Sequence, residues 1–240
     1  MTDRLADRQA RLLAYLTSGD AIFTGSAPND PALRGIDPAL LHLEARFSYD
    51  KRIEKIAAVF PRTFELLDLD TILSRFVTAA PPSDVSRLGN ARQFYEFLSA
   101  EWDRCRPEPP YLVDIAACEL ACAQVRAATD EHSFESGPAK PGPRVDAFRR
   151  HPAVALLTCG YDVRPIFEEG PAASAPVRRD TLLAVTLDRD TGQPVICELQ
   201  PGLFDLLAAL DEWTDAADLT SLPAHLLDDL VRHGLVETRE

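Results

Sequence analysis

The last sixty residues constrain the fold most, because four short patterns follow one another there with little room between them. Thr181–Leu187 is an apolar run, Asp188–Gln193 is rich in turn formers, and in Pro194–Leu199 the residues Val195, Cys197 and Leu199 alternate with Ile196 and Glu198. Alternation with a period of two marks a strand with one buried face, so the three segments predict a β-hairpin. Pro201 then opens a predicted helix in which Leu203, Leu206, Leu207, Leu210 and Trp213 recur three and four apart, the spacing of one apolar stripe. A second predicted helix starts at Pro223, carries Leu226, Leu227, Leu230 and Val231, and stops at Gly234, where a left-handed helix end suits glycine. Leu235–Glu237 returns as a short strand. A hairpin, two helices and a closing strand make a small winged-helix-like α/β module, and no side chain in it has the surroundings of a nucleophile. Its expected work is binding.

The preceding chain reads as helical. Apolar periodicity predicts helices over Asp3–Leu16, over Pro38–Phe60 behind the cap Asp37, through Asp70–Phe76, from an Asn90 cap to Trp102, and over Tyr111–Ala128. Pro61, Pro81-Pro-Ser83 and Arg106–Pro110 interrupt them. Thr129–Pro143 is rich in Pro and Gly and reads as a linker. Val154–Leu157 and Asp162–Phe167 resemble two short strands about Gly160, the second demoted to an edge by Pro165. The expected fold class is therefore α+β: an all-helical domain over residues 1–143, ending in the linker, and a winged-helix-like module over residues 144–240.

Charge narrows the function. The chain of 240 residues carries a formal net charge of −13. Residues 200–240 hold nine acids against two bases, a net −7. A face this acidic repels the phosphates that a nucleic-acid reader must meet with Lys and Arg, so no nucleic-acid partner is expected. No stretch approaches the roughly 20 apolar residues of a membrane span, and the charged N-terminus has no signal-peptide core. The expectation is a cytoplasmic protein without a membrane partner, whose five scattered cysteines stay reduced.

Signatures of catalysis are missing. Cys118 and Cys122 stand four apart on a predicted helix, yet both fall on its apolar stripe and no further ligand pair is near, so a core role is favoured over a metal site. Glu119 beside them calls for a structural ion pair, with Arg62 or Arg92 as candidate partners. Asp188–Gly192 echoes a calcium loop, but Leu199 stands where the twelfth-position Glu should be and the glycine comes one place early. His42, His132, His151, His225 and His233 lack metal spacing, and no phosphate loop, dinucleotide fingerprint or nucleophile elbow occurs. No metal, cofactor or catalytic residue is expected.

Several phrases, in order and spacing, resemble one family. Phe60-Pro-Arg-Thr63, Pro81-Pro-Ser83, Asn90-Ala-Arg-Gln-Phe-Tyr-Glu-Phe-Leu98, Pro110-Tyr-Leu-Val-Asp-Ile-Ala-Ala-Cys-Glu119, and His151-Pro-Ala-Val-Ala-Leu-Leu157 followed by Tyr161-Asp-Val163 are similar to the partner proteins of multinuclear non-haem iron-dependent oxidative enzymes, a family formerly labelled DNA-binding. Asp162 stands where relatives often carry proline, which leaves the strand boundary there open.

The resemblance implies an accessory subunit, not an enzyme, in the biosynthesis of a ribosomally synthesised and post-translationally modified peptide (RiPP). Its helical half would dock on the iron enzyme as a heterodimer, and its C-terminal module would act as a RiPP recognition element. The iron would belong to the enzyme. Such an element takes the leader of a precursor peptide as an added strand beside a helix, which a wing with a free edge permits. The residues expected to line that site are Val195, Ile196 and Cys197 on the strand with Leu227, Leu230 and Val231 on the helix. Pro81, Pro82, Phe94, Tyr95 and Phe97 are the candidates for enzyme docking, with core packing as their other reading. The alternative function is a winged-helix DNA-binding regulator, which the acidity disfavours.

Overall fold

The computed structural model describes residues 2–132, 145–170, 174–188, 190–219 and 222–239. The fold is α+β, and the chain divides into two compact units, Met1–Ala116 and Ala117–Glu240. The division falls inside one helix, α6, which runs over Leu112–His132 and takes in the start of the expected linker. The rest of that linker, with the expected boundary at residue 143, lies outside the described residues.

The first unit holds α1 (Thr2–Leu16), a π-helical turn (Asp20–Thr24), α2 (Pro38–Ala57), α3 (Pro61–Leu66), α4 (Leu69–Ala79), α5 (Arg87–Arg104) and the start of α6. Asp37 caps α2 as expected, its carboxylate accepting from the Ala39 N–H at 2.8 Å ahead of Pro38. The cap of α5 is Ser86, not Asn90: the Ser86 hydroxyl accepts from the Gly89 N–H at 2.9 Å. Asn90 lies one turn further in, buried, donating to the carbonyls of Asp84 (3.0 Å) and Ser86 (2.7 Å). Gly89 suits this start, because a Cβ there would come within 1.8 Å of the Asp84 carboxylate. The core is aromatic. Phe94 meets Phe60, Phe64 and Phe76 with ring centroids 5.6, 5.7 and 5.1 Å away, and Phe76 meets Phe97 at 5.4 Å.

The second unit contains the rest of α6 and two antiparallel sheets. Strands β2 (Ala155–Asp162), β3 (Val177–Leu187) and β4 (Pro194–Glu198) form one, in that order. The other sets β1 (Ala147–Arg150) between β5 (Thr214–Asp215) and β6 (Val236–Arg239). The helices are α7 (Arg164–Glu169), α8 (Pro201–Ala209) and α9 (Ala224–Arg232), with Gly234 behind α9 at φ 69°. Alternation along β3 sends Val185 and Leu187 toward Ala121 and Val125 of α6, while Ala184 joins Leu199, Leu207, Leu210, Leu230 and Val236 on the opposite face.

Three expectations for this unit fail. The hairpin β3–β4 takes β2 as its third strand, whereas the closing strand β6 pairs with β1, so the wing is not built from hairpin and closing strand. β2 runs straight through Gly160, with one extra residue on the β3 side between Cys159 and Tyr161. The segment expected as a second strand, Asp162–Phe167, is mostly α7: Pro165 sits in its first turn, where a missing N–H costs nothing.

Candidate functional site

The site is built on the outer edge of β4. Its inner edge is zipped to β3, with Leu183 opposite Glu198, Ala184 opposite Cys197, Val185 opposite Ile196 and Thr186 opposite Val195. The Leu199 N–H donates to the Leu182 carbonyl and the Asp188 N–H to the Gln193 carbonyl, both at 2.8 Å. Antiparallel ladders alternate between bonded and unbonded pairs, so these two bonds fix the phase: Val195 and Cys197 turn their backbone groups to β3, and Ile196 and Glu198 turn theirs outward. No strand pairs with that outer edge among the described residues. Pro194 has no N–H to offer, so the edge is short, with two outward donors.

Side chains from this strand divide between two faces. Ile196 packs, half-buried, on the α6 side with Val185 and Val125. Val195, 38% exposed, and Cys197, also exposed, lie on the same face as Ala184 and Leu199. Leu230 is only 4% exposed and belongs to the cluster on that face, with Leu226 and Val231 against it, and Leu227 is 8% exposed. The helix residues chosen from sequence are thus core or nearly so. α9 packs on β6.

Charge closes both ends of the edge. Beside Glu198, two arginines and two carboxylates form a ring: Arg164 bridges Asp162 and Glu198 at 2.7 Å each, and Arg179 bridges the same pair at 2.7 and 2.6 Å. The Arg164 and Arg179 hydrogen bonds hold the Asp162 carboxyl far below the ordinary carboxylate range, and Arg179 lowers that of Glu198. At the other end Asp188 accepts from the backbone of Asp190 and Thr191 and from the Thr191 hydroxyl at 2.8–3.1 Å, so its carboxylate orders the turn. Gly192 completes that turn at φ 64°. Sequence reasoning missed this ring. A signal for it was the charged run Arg178-Arg179-Asp180 near the start of a strand that turns apolar further on.

The docking candidates scatter. Phe94 is 0% exposed, so this residue belongs to the core and offers no surface to a partner. Tyr95 and Phe97 are half-buried. Phe97 and the exposed Pro81 border an open groove of about 930 Å³, whereas Pro82 borders a smaller cavity of about 310 Å³ between α1 and α2. Cys118 and Glu119 are buried in α6. Burial pushes the Cys122 thiol up to about 11 and raises that of Cys197, so neither is a ready thiolate at neutral pH. Among the described residues no group of three His, Cys, Asp or Glu is placed to hold a metal ion, and no helix is long and apolar enough to cross a membrane. Compared with models of known protein families and with curated proteins, the chain matches none.

Proposed function

We propose that the chain is a non-catalytic partner subunit that binds the leader of a ribosomal precursor peptide by strand addition and presents it to an iron-dependent oxidative modifying enzyme. The C-terminal unit acts as the recognition element, in a winged-helix-like role, and the helical unit docks on the enzyme. The observation that carries this reading is the unpaired outer edge of β4. Its outward groups at Ile196 and Glu198 supply backbone hydrogen bonds, and the exposed Val195 and Cys197 give an adjoining face for one or two apolar peptide side chains. Strand addition asks little of α9, consistent with the burial of Leu227 and Leu230. The acidic surface speaks against the DNA-regulator alternative: Asp228 is exposed on α9, and Asp229 is already paired with Arg232 at 2.8 Å.

Two substitutions test the mode of binding. Ile196→Ala deletes a side chain but keeps the outward N–H, and Ile196→Pro also removes that donor without touching the β3 ladder. One lost hydrogen bond and a blocked edge predict about tenfold weaker leader binding for Ile196→Pro than for Ile196→Ala. Equal affinity in two folded variants refutes strand addition on this edge.

A further inference from the structure

The 310 Å³ cavity in the helical unit is lined by Leu13 and Leu16 of α1, Ile22 of the π-turn and Val77 of α4, with Phe47 and Arg52 from α2. Arg52 falls on the buried stripe of its helix, with Leu41, Ala45 and Ile56, and is itself only 8% exposed. Each of its guanidinium nitrogens has a partner, and each partner is neutral: Nε donates to the Asn90 side-chain oxygen at 3.0 Å, Nη1 to the Ala80 carbonyl at 2.9 Å and Nη2 to the Gln93 side-chain oxygen at 2.7 Å. One face of the guanidinium is covered by the Phe76 ring, whose centroid lies 4.3 Å from Cζ. No carboxylate comes within ion-pair distance among the described residues, and burial alone pulls the group down to about 10. Five N–H donors meet three acceptors, which leaves one hydrogen on each terminal nitrogen. A buried cation without a counter-charge is costly, and a carboxylate beside it in low dielectric gains more than it would in water.

The other charges at the cavity are occupied or add to the cation. Lys51 and Lys55 line it; Lys51 is paired with Glu54 at 2.8 Å, and Lys55 donates to the Val85 carbonyl. Of the two acids there, Asp84 accepts from the Ser86 N–H at 2.8 Å and from its hydroxyl at 2.6 Å, and Glu44 is the other. In a chain of net charge −13 this wall carries three cations against two acids. The rim is apolar and open, with Leu13 60% and Phe47 57% exposed. At about 30 Å³ per water-sized group the volume admits roughly ten such groups.

We propose that this cavity binds an apolar carboxylate, its hydrocarbon against Leu13, Leu16, Ile22 and Val77 and its carboxylate on Arg52. The site does not rest on the reading of β4. A free carboxylic acid and the C-terminus of a peptide ending in an apolar residue share the required chemistry. Isothermal titration of the full chain with octanoate against octanamide, and with N-acetyl-leucine against its amide, distinguishes these sources. At least one acid is expected to bind saturably, one per chain, and at least tenfold tighter than its amide. Whichever pair shows the difference names the source. Arg52→Gln should abolish the discrimination. Leu13→Asp, at an exposed position of the wall, removes an apolar contact that acid and amide share and adds a negative charge that only the acid meets, so it should weaken the acid at least fivefold more than the amide. If neither acid binds saturably, if acid and amide bind alike in both pairs, or if Leu13→Asp affects acid and amide equally, the proposal is overturned.

Discussion

Replacing Phe94 by alanine removes the ring on which the helical unit converges. Phe94 is fully buried and stands 5.1–5.7 Å from the ring centroids of Phe60 and Phe64, at the cap and within α3, and of Phe76 in α4. The loss combines the transfer free energy of the ring with the cavity it leaves, about 3–5 kcal/mol for a buried phenylalanine, and three ring contacts, the one to Phe76 edge-on, place the cost in the upper half of that range. For a unit of 116 residues, about 4 kcal/mol lowers the melting midpoint by on the order of 15 °C. The chain has two tryptophans, Trp102 in the helical unit and Trp213 in the other, so 5-fluorotryptophan labelling gives one ¹⁹F probe for each. A thermal series should show the Trp102 signal lost early in Phe94→Ala, with the Trp213 midpoint the less affected. An unchanged Trp102 midpoint, with loss of binding to an iron-enzyme partner, would refute the reasoning and return Phe94 to the docking surface.

Other outcomes follow from the second unit. Asp162→Asn should destabilise it at neutral pH, and the difference should shrink in acid. The Asp162 carboxyl is depressed by Arg164 and Arg179, so its contribution is complete above the unfolded value near about 3.9 and is lost as pH falls through the lower folded value. Urea unfolding at pH 7 and pH 3, with a difference that grows in acid, would reverse the assigned sign. Leu230→Asp should unfold the C-terminal unit by burying an unpartnered charge, whereas Val195→Asp should stay within about 0.5 kcal/mol of the parent. Circular-dichroism melts separate the two. Fluorescence anisotropy on genomic fragments should find no tight binding of double-stranded DNA at physiological salt. Submicromolar, salt-steep binding would favour the regulator.

What could be read from sequence was whatever local chemistry decides. The hairpin β3–β4 announced itself because alternation and the Asp188–Gly192 turn agree, and α8 and α9 because proline and Gly234 bracket apolar stripes. Pairing between distant segments was not local. Nothing in Ala147–Arg150 reads as a strand, since Ala-Phe-Arg-Arg lacks alternation, yet β6 and β5 hold it from both sides. For the same reason the partner of the closing strand is not legible: β6 pairs with β1. Asparagine favours a cap, but Ser86 upstream provides it and frees Asn90 to hold Arg52. At the site, the strand β4 is legible in its alternation, whereas the exposure of Val195 and Cys197 is not, and the burial of Leu230 depends on β6 and α8, which periodicity cannot position.

The central claim is tested most directly by amide hydrogen exchange at Ile196 and Glu198, whose outward N–H groups have no ladder partner. In the free protein both should exchange fast, while Cys197, bonded to β3, exchanges slowly. Saturation with the leader peptide that the proposed function requires should slow Ile196 and Glu198 at least tenfold and leave Cys197 as it was. Unchanged exchange at both positions, with protection appearing on α9 or in the helical unit, would show that the peptide is held elsewhere and is not added to β4.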